Sequence, residues 1–236
     1  LNDFDGLFRG QEFTGLDRIS DKNQLTLGIT SRLMDEHNRE QFRVSLGQIF
    51  YFENNRILGT DRNENNRSAI AGELDWNITS RWRTEVEAQV SSENEQVERS
   101  SVSLEYRVSD NKLVHLGHRY VRDLSGVEIN QAGITMSWDV AQNWQWVGRY
   151  YRDLDLHRTT EAFTGFQYDS CCWSLRVVWE RHLTNRFDAL GNQSLNEYDS
   201  GFKIKFAFKG LGNEGSKRNI LNDGLYGYQQ PYILGQ

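Results

Sequence analysis

Trp82-Arg83-Thr84-Glu85-Val86-Glu87-Ala88-Gln89-Val90 places Trp82, Val86, Ala88 and Val90 on one side of an extended chain and Arg83, Glu85 and Glu87 on the other. A two-residue period is the period of a β-strand, whose successive side chains point to opposite faces. The pattern recurs in both directions from this stretch. Leu25, Leu27, Ile29 and Leu33 share a face within Asn23–Leu33, as do Phe42, Val44, Leu46, Phe50 and Phe52 within Gln41–Phe52. Ile70, Leu74, Trp76 and Ile78 form a third set, and Val102, Leu104, Tyr106 and Val108 a fifth. Lys112–Val121 is poorly patterned. Beyond it come Ala132–Trp138, Trp144–Tyr150, Ala162–Tyr168, Trp173–Trp179 and Phe202–Phe208. Eleven strands of about ten residues are expected, with no long helix.

Composition narrows the class. The 236 residues are 37% hydrophobic, below the usual level for a soluble domain, with a mean hydropathy of −0.71. Yet 12% are aromatic, which excludes an intrinsically disordered chain. The longest uncharged stretch, Gly224–Gln236, has 13 residues and contains Pro231, too short for a membrane-spanning helix. Leu1–Gly10 carries acids and an arginine where a signal peptide would have its apolar core. A net charge of −6 without a basic block makes nucleic acid a poor partner.

The opposite faces bear Arg81, Arg83, Glu85 and Glu87, then Glu105 and Arg107, Arg149 and Tyr151, and Lys203, Lys205 and Lys209. A soluble sandwich alternates too, with its apolar face inward; a transmembrane barrel turns that face to lipid. Three features favour the antiparallel transmembrane β-barrel. Connections alternate between tight (Met34–Glu40, Thr79–Ser80, Ser109–Asn111, Asp139–Asn143) and longer, polar ones (Asn54–Arg67, Ser91–Val97, Thr184–Asn196), as in barrels with short periplasmic turns. Trp76, Trp82, Trp138, Trp144 and Trp173 all fall at strand ends beside tight turns, as an aromatic girdle requires. One proline in the whole chain suits long hydrogen-bonded ladders. In this phase residues 1–22 form an extracellular loop, 23–209 the strands, and 210–236 a periplasmic or lumenal tail. Bacterial barrels normally have an even strand count and periplasmic ends. An odd count starting outside is therefore expected to be the C-terminal segment of a larger barrel.

Cys171 and Cys172 follow the tight turn at Asp169–Ser170. A bond between neighbours on a strand would be strained, which leaves pairing with cysteines outside this chain or two ordinary thiols. His115 and His118, three apart on a strand, lie on opposite faces and do not chelate one metal. Asp123, Asp153, Asp155 and His157, near outer strand ends, are the residues a barrel hydrolase would draw on; solvation or cation contact is the plainer role. No metal, cofactor or catalytic motif is expected.

Tyr168-Asp169-Ser170-Cys171-Cys172-Trp173-Ser174-Leu175-Arg176-Val177 resembles the cysteine-pair strand of the LPS-assembly outer-membrane protein family, LptD (organic solvent tolerance protein). Gly6–Arg9, Gly15–Ile19, Gly28–Arg32, Gly47–Phe52 and Gly201–Gly212 resemble further parts of that family. The resemblance implies the C-terminal part of a 26-stranded barrel in the Gram-negative outer membrane. It also implies an LptE-type plug lipoprotein, a periplasmic jellyroll fed by an LptA-type bridge, lipopolysaccharide as cargo, and surrounding membrane lipid. Cys171 and Cys172 would each bond to a cysteine of the N-terminal region. Gly201, Phe202, Lys203, Ile204, Lys205, Phe206, Ala207 and Phe208 would form one side of a lateral gate. That strand also resembles the signal read by the barrel-insertion machinery, and its lysines suit phosphate. A porin or receptor barrel is the alternative without partnered cysteines.

Overall fold

Eleven strands form, as the alternation requires, in a computed structural model that describes residues 4–8, 23–52, 66–124, 127–184 and 197–208. They are β1 (Gln24–Met34), β2 (Glu40–Tyr51), β3 (Ile70–Asn77), β4 (Trp82–Val90), β5 (Val97–Ser109), β6 (Lys112–Leu124), β7 (Val127–Ala141), β8 (Trp144–Asp153), β9 (Arg158–Asp169), β10 (Trp173–Thr184) and β11 (Glu197–Phe208). The order in the single sheet is β1 through β11, so every neighbour in sequence is a neighbour in space and β1 and β11 are the edges. The pairings β1–β2, β2–β3, β3–β4, β7–β8, β8–β9, β9–β10 and β10–β11 are antiparallel. The expected strand class and count hold. The chain divides into two compact units, Leu1–Leu104 with Gly117–Asn130, and Glu105–Leu116 with Gln131–Gln236.

Connections on one side are tight: residues 35–39, 78–81, 110–111, 142–143 and 170–172. Local chemistry builds them. Asp35 Oδ1 accepts from the backbone N–H groups of His37 and Arg39 at 2.8 and 2.9 Å, and Asn38 takes the left-handed conformation (φ 57°) that Asn tolerates. The amide of Arg39 above all holds the Asp35 carboxyl below its ordinary range. Thr79 Oγ1 accepts from the backbone N–H groups of Arg81 and Trp82, both at 3.2 Å. On the other side fall residues 52–69, 91–96, 125–126, 154–157 and 185–196. Two of these, 125–126 and 154–157, are as short as the tight set, so connections on this side are not uniformly long. The regular alternation around Lys112–Val121 is weak, yet the strand forms, because its ladder is set by its neighbours.

The burial of side chains runs opposite to that of a water-soluble sheet. Ser45, Asp75, Thr135, Ser137, Gln145 and Gln167 are buried, with Thr135 and Ser137 fully covered. Ile29 is 70% exposed and Phe202 77%, and Leu25, Leu27, Leu33, Leu46, Phe166, Ile204 and Phe208 are exposed as well. Register assigns these to opposite faces: Ser45 pairs with Glu73, and Leu46 with Ile29 and Gly72.

Two small apolar clusters sit on the polar face. In the first unit, Leu7, Ile49 and Ala71 pack together with Phe4 and Tyr51. Leu7 belongs to a short 3-10 helix, Asp5–Phe8, that Phe4 immediately precedes, and the surface that receives them is built from two paired glycines, Gly28 and Gly47. A Cβ on Gly28 would stand 2.5 Å from Phe8 Cζ, and one on Gly47 would stand 2.8 Å from Leu7 Cδ1. Only a bare backbone admits the turn this closely. In the second unit, Leu113, Val147 and Val178 pack with Phe163.

Candidate functional site

The polar face of β2–β4 is an ion-pair network centred on Asp75, whose side chain is 8% exposed. Arg43 Nε donates to Asp75 Oδ2 at 2.9 Å, and Arg43 Nη2 contacts the same oxygen and donates to Glu73 Oε1 at 2.9 Å. Arg83 reaches Asp75 Oδ1 at 3.4 Å and Glu85 at 2.7 Å. The register explains the set, since Arg43 faces Asp75 across β2–β3 and Asp75 faces Glu85 across β3–β4. In the second unit Arg149 pairs with Glu161 and lies 5.5 Å from the ring centre of Phe163. Gln145 donates to Ser137 Oγ at 2.9 Å, which donates to the Asn111 carbonyl at 2.7 Å. These groups are linked into chains, as desolvation favours, whereas the fully covered Thr135 Oγ1 has no hydrogen-bond partner among the described residues.

β11 has a different character. It pairs only with β10, from Trp173↔Phe208 to Thr184↔Glu197, and all its residues but Ala207 are exposed. A Cβ on Gly201 would meet nothing within 4 Å. On the polar side Lys203 pairs with Glu180, while Lys205 stands opposite Arg176, two like charges in register. Lys209 lies outside the described residues.

Cys171 and Cys172 lie in the bend between β9 and β10, not on the strand. The Ser170 backbone N–H donates to the Trp173 carbonyl at 2.9 Å, closing the bend, so the β10 ladder starts at Trp173. Both cysteines are exposed at the tight-turn end of the sheet, with their sulfurs 2.8 Å apart.

The five tryptophans singled out earlier stand at strand ends beside tight turns: Trp76 and Trp138 at the ends of β3 and β7, Trp82, Trp144 and Trp173 at the starts of β4, β8 and β10. Trp144 and Trp173 belong to a longer row that the sequence reading missed. Trp144–Tyr168, Tyr168–Trp173, Trp173–Phe206 and Phe206–Phe208 have ring centres 5.1, 5.0, 5.5 and 4.9 Å apart across β8 to β11. The signal was present as alternating aromatics at the ends of adjacent strands; combining them requires the register.

The loop-end residues form turns. Asp153 Oδ1 accepts from the backbone N–H groups of Asp155 and Leu156 at 3.1 and 3.0 Å, and His157 adopts φ 49°. The side chain of Asp123 lies outside the described residues. His118 Nε2 lies 3.0 Å from Asn130 Oδ1. Among the described residues no three His, Cys, Asp or Glu side chains group as metal ligands.

With this geometry in place, comparison with known proteins is decisive at the family level. The family model described as LPS transport system D, LptD, matches residues 2–144, more than half of the chain. The chain belongs to the LptD family. The LPS-assembly protein LptD of Pseudoalteromonas atlantica is 61% identical over 234 residues, covering 99% of this chain and 31% of that protein. Its counterpart from Shewanella frigidimarina is 38% identical over 246 residues, covering 98% of this chain and 32% of that one. This LptD-family chain therefore spans about a third of the length of the curated relatives it matches. A NanC porin structure aligns over 80% of the chain at 13% identity with a TM-score of 0.33. At that score the fold assignment rests on the strands of the LptD-family chain and on its family, not on the porin.

Proposed function

We propose that this LptD-family chain is the C-terminal part of an outer-membrane barrel that places lipopolysaccharide in the outer leaflet. One observation carries the reading: side-chain burial is inverted, with polar side chains such as Asp75, Ser137 and Gln145 covered and large apolar side chains exposed. Such a sheet suits lipid on its apolar face and a hydrated lumen on its polar face. Here the tight turns are periplasmic; residues 4–8 of the segment expected as an outer loop sit on the polar face, and residues 9–22 and 210–236 lie outside the described residues. Trp76, Trp82, Trp138, Trp144 and Trp173 form the periplasmic girdle. The like charges of Lys205 and Arg176, in register across β10–β11, support the assignment of β11 as one side of the lateral gate. A lipoprotein plug of the LptE type, a periplasmic bridge of the LptA type and the barrel-insertion machinery are the partners. The work is movement of lipid without covalent chemistry.

Cys171 and Cys172, exposed at the tight-turn end, each bond to a cysteine of the N-terminal periplasmic region of the full-length product. Mass spectrometry of unreduced outer membranes containing that product tests this, with depletion of the product as the functional arm. Expected are two bonds to distant cysteines, and loss of newly made surface lipopolysaccharide on depletion. Two thiols, or a bond between the neighbours, would overturn the cysteine assignment. Unchanged delivery on depletion would overturn the transport reading, and ion conductance would then test a porin.

A further inference from the structure

The first unit holds a cavity of about 350 Å³ on the polar face, within the roughly 300–1,000 Å³ range of small-molecule sites. Its walls have two chemistries. Leu7, Ala71 and Val121, all buried, give an apolar side, with Phe4, just before the 3-10 helix, beside them. Arg99, Ser101 and Arg119 give a second side, with Glu87 and Gln89 facing in from β4. Placement on the polar face follows from register: Gln89 pairs with Ala71 and Glu87 with Glu73, and Ser103 Oγ lies 3.5 Å from Glu85. Ser103 therefore shares the polar face with Glu85, and Ser101 and Arg99, two and four residues back along β5, share it too.

Arg99 and Glu87 each have interactions of their own. Arg119 is exposed toward the cavity and has no hydrogen-bond or ion-pair partner among the described residues. A guanidinium left open beside hydroxyl and amide groups suits an oxyanion, above all phosphate, which it can bind through two parallel N–H donors. Ser101, Gln89 and Glu87 supply donors and acceptors for hydroxyls, while the apolar wall accepts the C–H face of a sugar ring. A bare acyl chain would leave these polar groups desolvated and unmatched.

We propose that this cavity is a binding site for a phosphorylated saccharide, with Arg119 as its phosphate ligand. The site rests on the transport reading and names a point on the lumen wall where the sugar part of the cargo is held. The loading is weak by design of its chemistry: one open cation and a cavity without a closed roof favour exchange over retention.

The test uses the full-length product in its own outer membrane, with a photo-crosslinking amino acid in place of Ser101, Val102 or Lys205. The cavity predicts a lipopolysaccharide adduct at Ser101, detected by immunoblot after purification of the product. Arg119→Glu reduces that adduct about tenfold, as loss of a charge-assisted hydrogen bond requires, and Arg119→Lys restores part of it. Val102, on the membrane face of the same strand, gives an adduct that ignores Arg119. Should Arg119→Glu fail to assemble, Arg119→Gln removes the charge with less disturbance and is read in the same way. A Ser101 adduct to a protein, or one to lipopolysaccharide that does not respond to Arg119, would overturn the site. An adduct at Lys205 with none at Ser101 overturns the cavity and leaves transport standing. No lipopolysaccharide adduct at either polar-face position counts against transport itself.

Discussion

The β2–β3 seam and the β10–β11 seam share a ladder geometry and an alternation, and they differ in everything else that holds a strand. At β2–β3, Arg43, Glu73 and Asp75 interlock on the polar face, and Phe4 and Leu7 cover the neighbouring glycine pair. At β10–β11 the polar face holds one ion pair of Lys203 with Glu180, and a register-matched repulsion of Lys205 and Arg176. The comparison teaches that backbone pairing alone gives a strand, whereas side-chain coverage decides whether that strand can leave. The proposed gate needs the second kind of seam. Its apolar face compensates in part, because Trp173, Phe206 and Phe208 join the aromatic row at the tight-turn end. β11 is thus held by rings at the tight-turn end and by Arg181, 4.0 Å over the Tyr198 ring, at the other, and more loosely between them.

The largest expected effect comes from Asp75→Ala. It removes the covered acceptor shared by Arg43 and Arg83, which keep only Glu73, Glu40 and Glu85, and with these charge-assisted bonds gone the full-length product folded in detergent micelles should lose about 3 kcal/mol in urea unfolding. A loss below about 1 kcal/mol would show that the network is solvated and that the contrast between seams is overstated. Next come two glycines treated alike. Gly47→Val places a methyl-bearing Cβ against Leu7 and Phe4 and 3.2 Å from the Leu27 carbonyl, and should destabilise by about 1–3 kcal/mol while displacing the 3-10 turn. Gly201→Val meets open space and should stay within about 0.5 kcal/mol of the parent in the same unfolding assay. Equal effects at the two positions would break the comparison. The smallest effect is that of Lys203→Ala. Its ion pair is 70% exposed on the lysine side, so unfolding should shift by no more than about 0.5 kcal/mol.

The strands were legible because a two-residue period needs no tertiary information, and Trp82–Val90 alone displays it. The weak segment at Lys112–Val121 shows where that ends. Leu113 and Val121 are buried on the polar face, His118 and Tyr120 lie on the other, and no alternation of hydropathy can record such an exchange. The cysteines were legible as a pair but not as bend residues, because the hydrogen bond from Ser170 to Trp173 sets where β10 begins. The Gly28–Gly47 platform was hidden for another reason. Each glycine reads as an interruption of its strand, and only their pairing turns two gaps into a seat for Phe4 and Leu7. The open guanidinium of Arg119 likewise depends on what its neighbours already bind.

Apolar side chains at every second position have a consequence before the fold exists. Spread through polar ones, they leave the unpaired chain with a mean hydropathy of −0.71 and no run that a bilayer would capture. The same residues make a continuous greasy surface only once neighbouring strands align them. Export of the nascent polypeptide and its later entry into lipid are thereby separated in time by the pairing of strands: the chain is water-tolerant while threading and lipid-seeking when zipped.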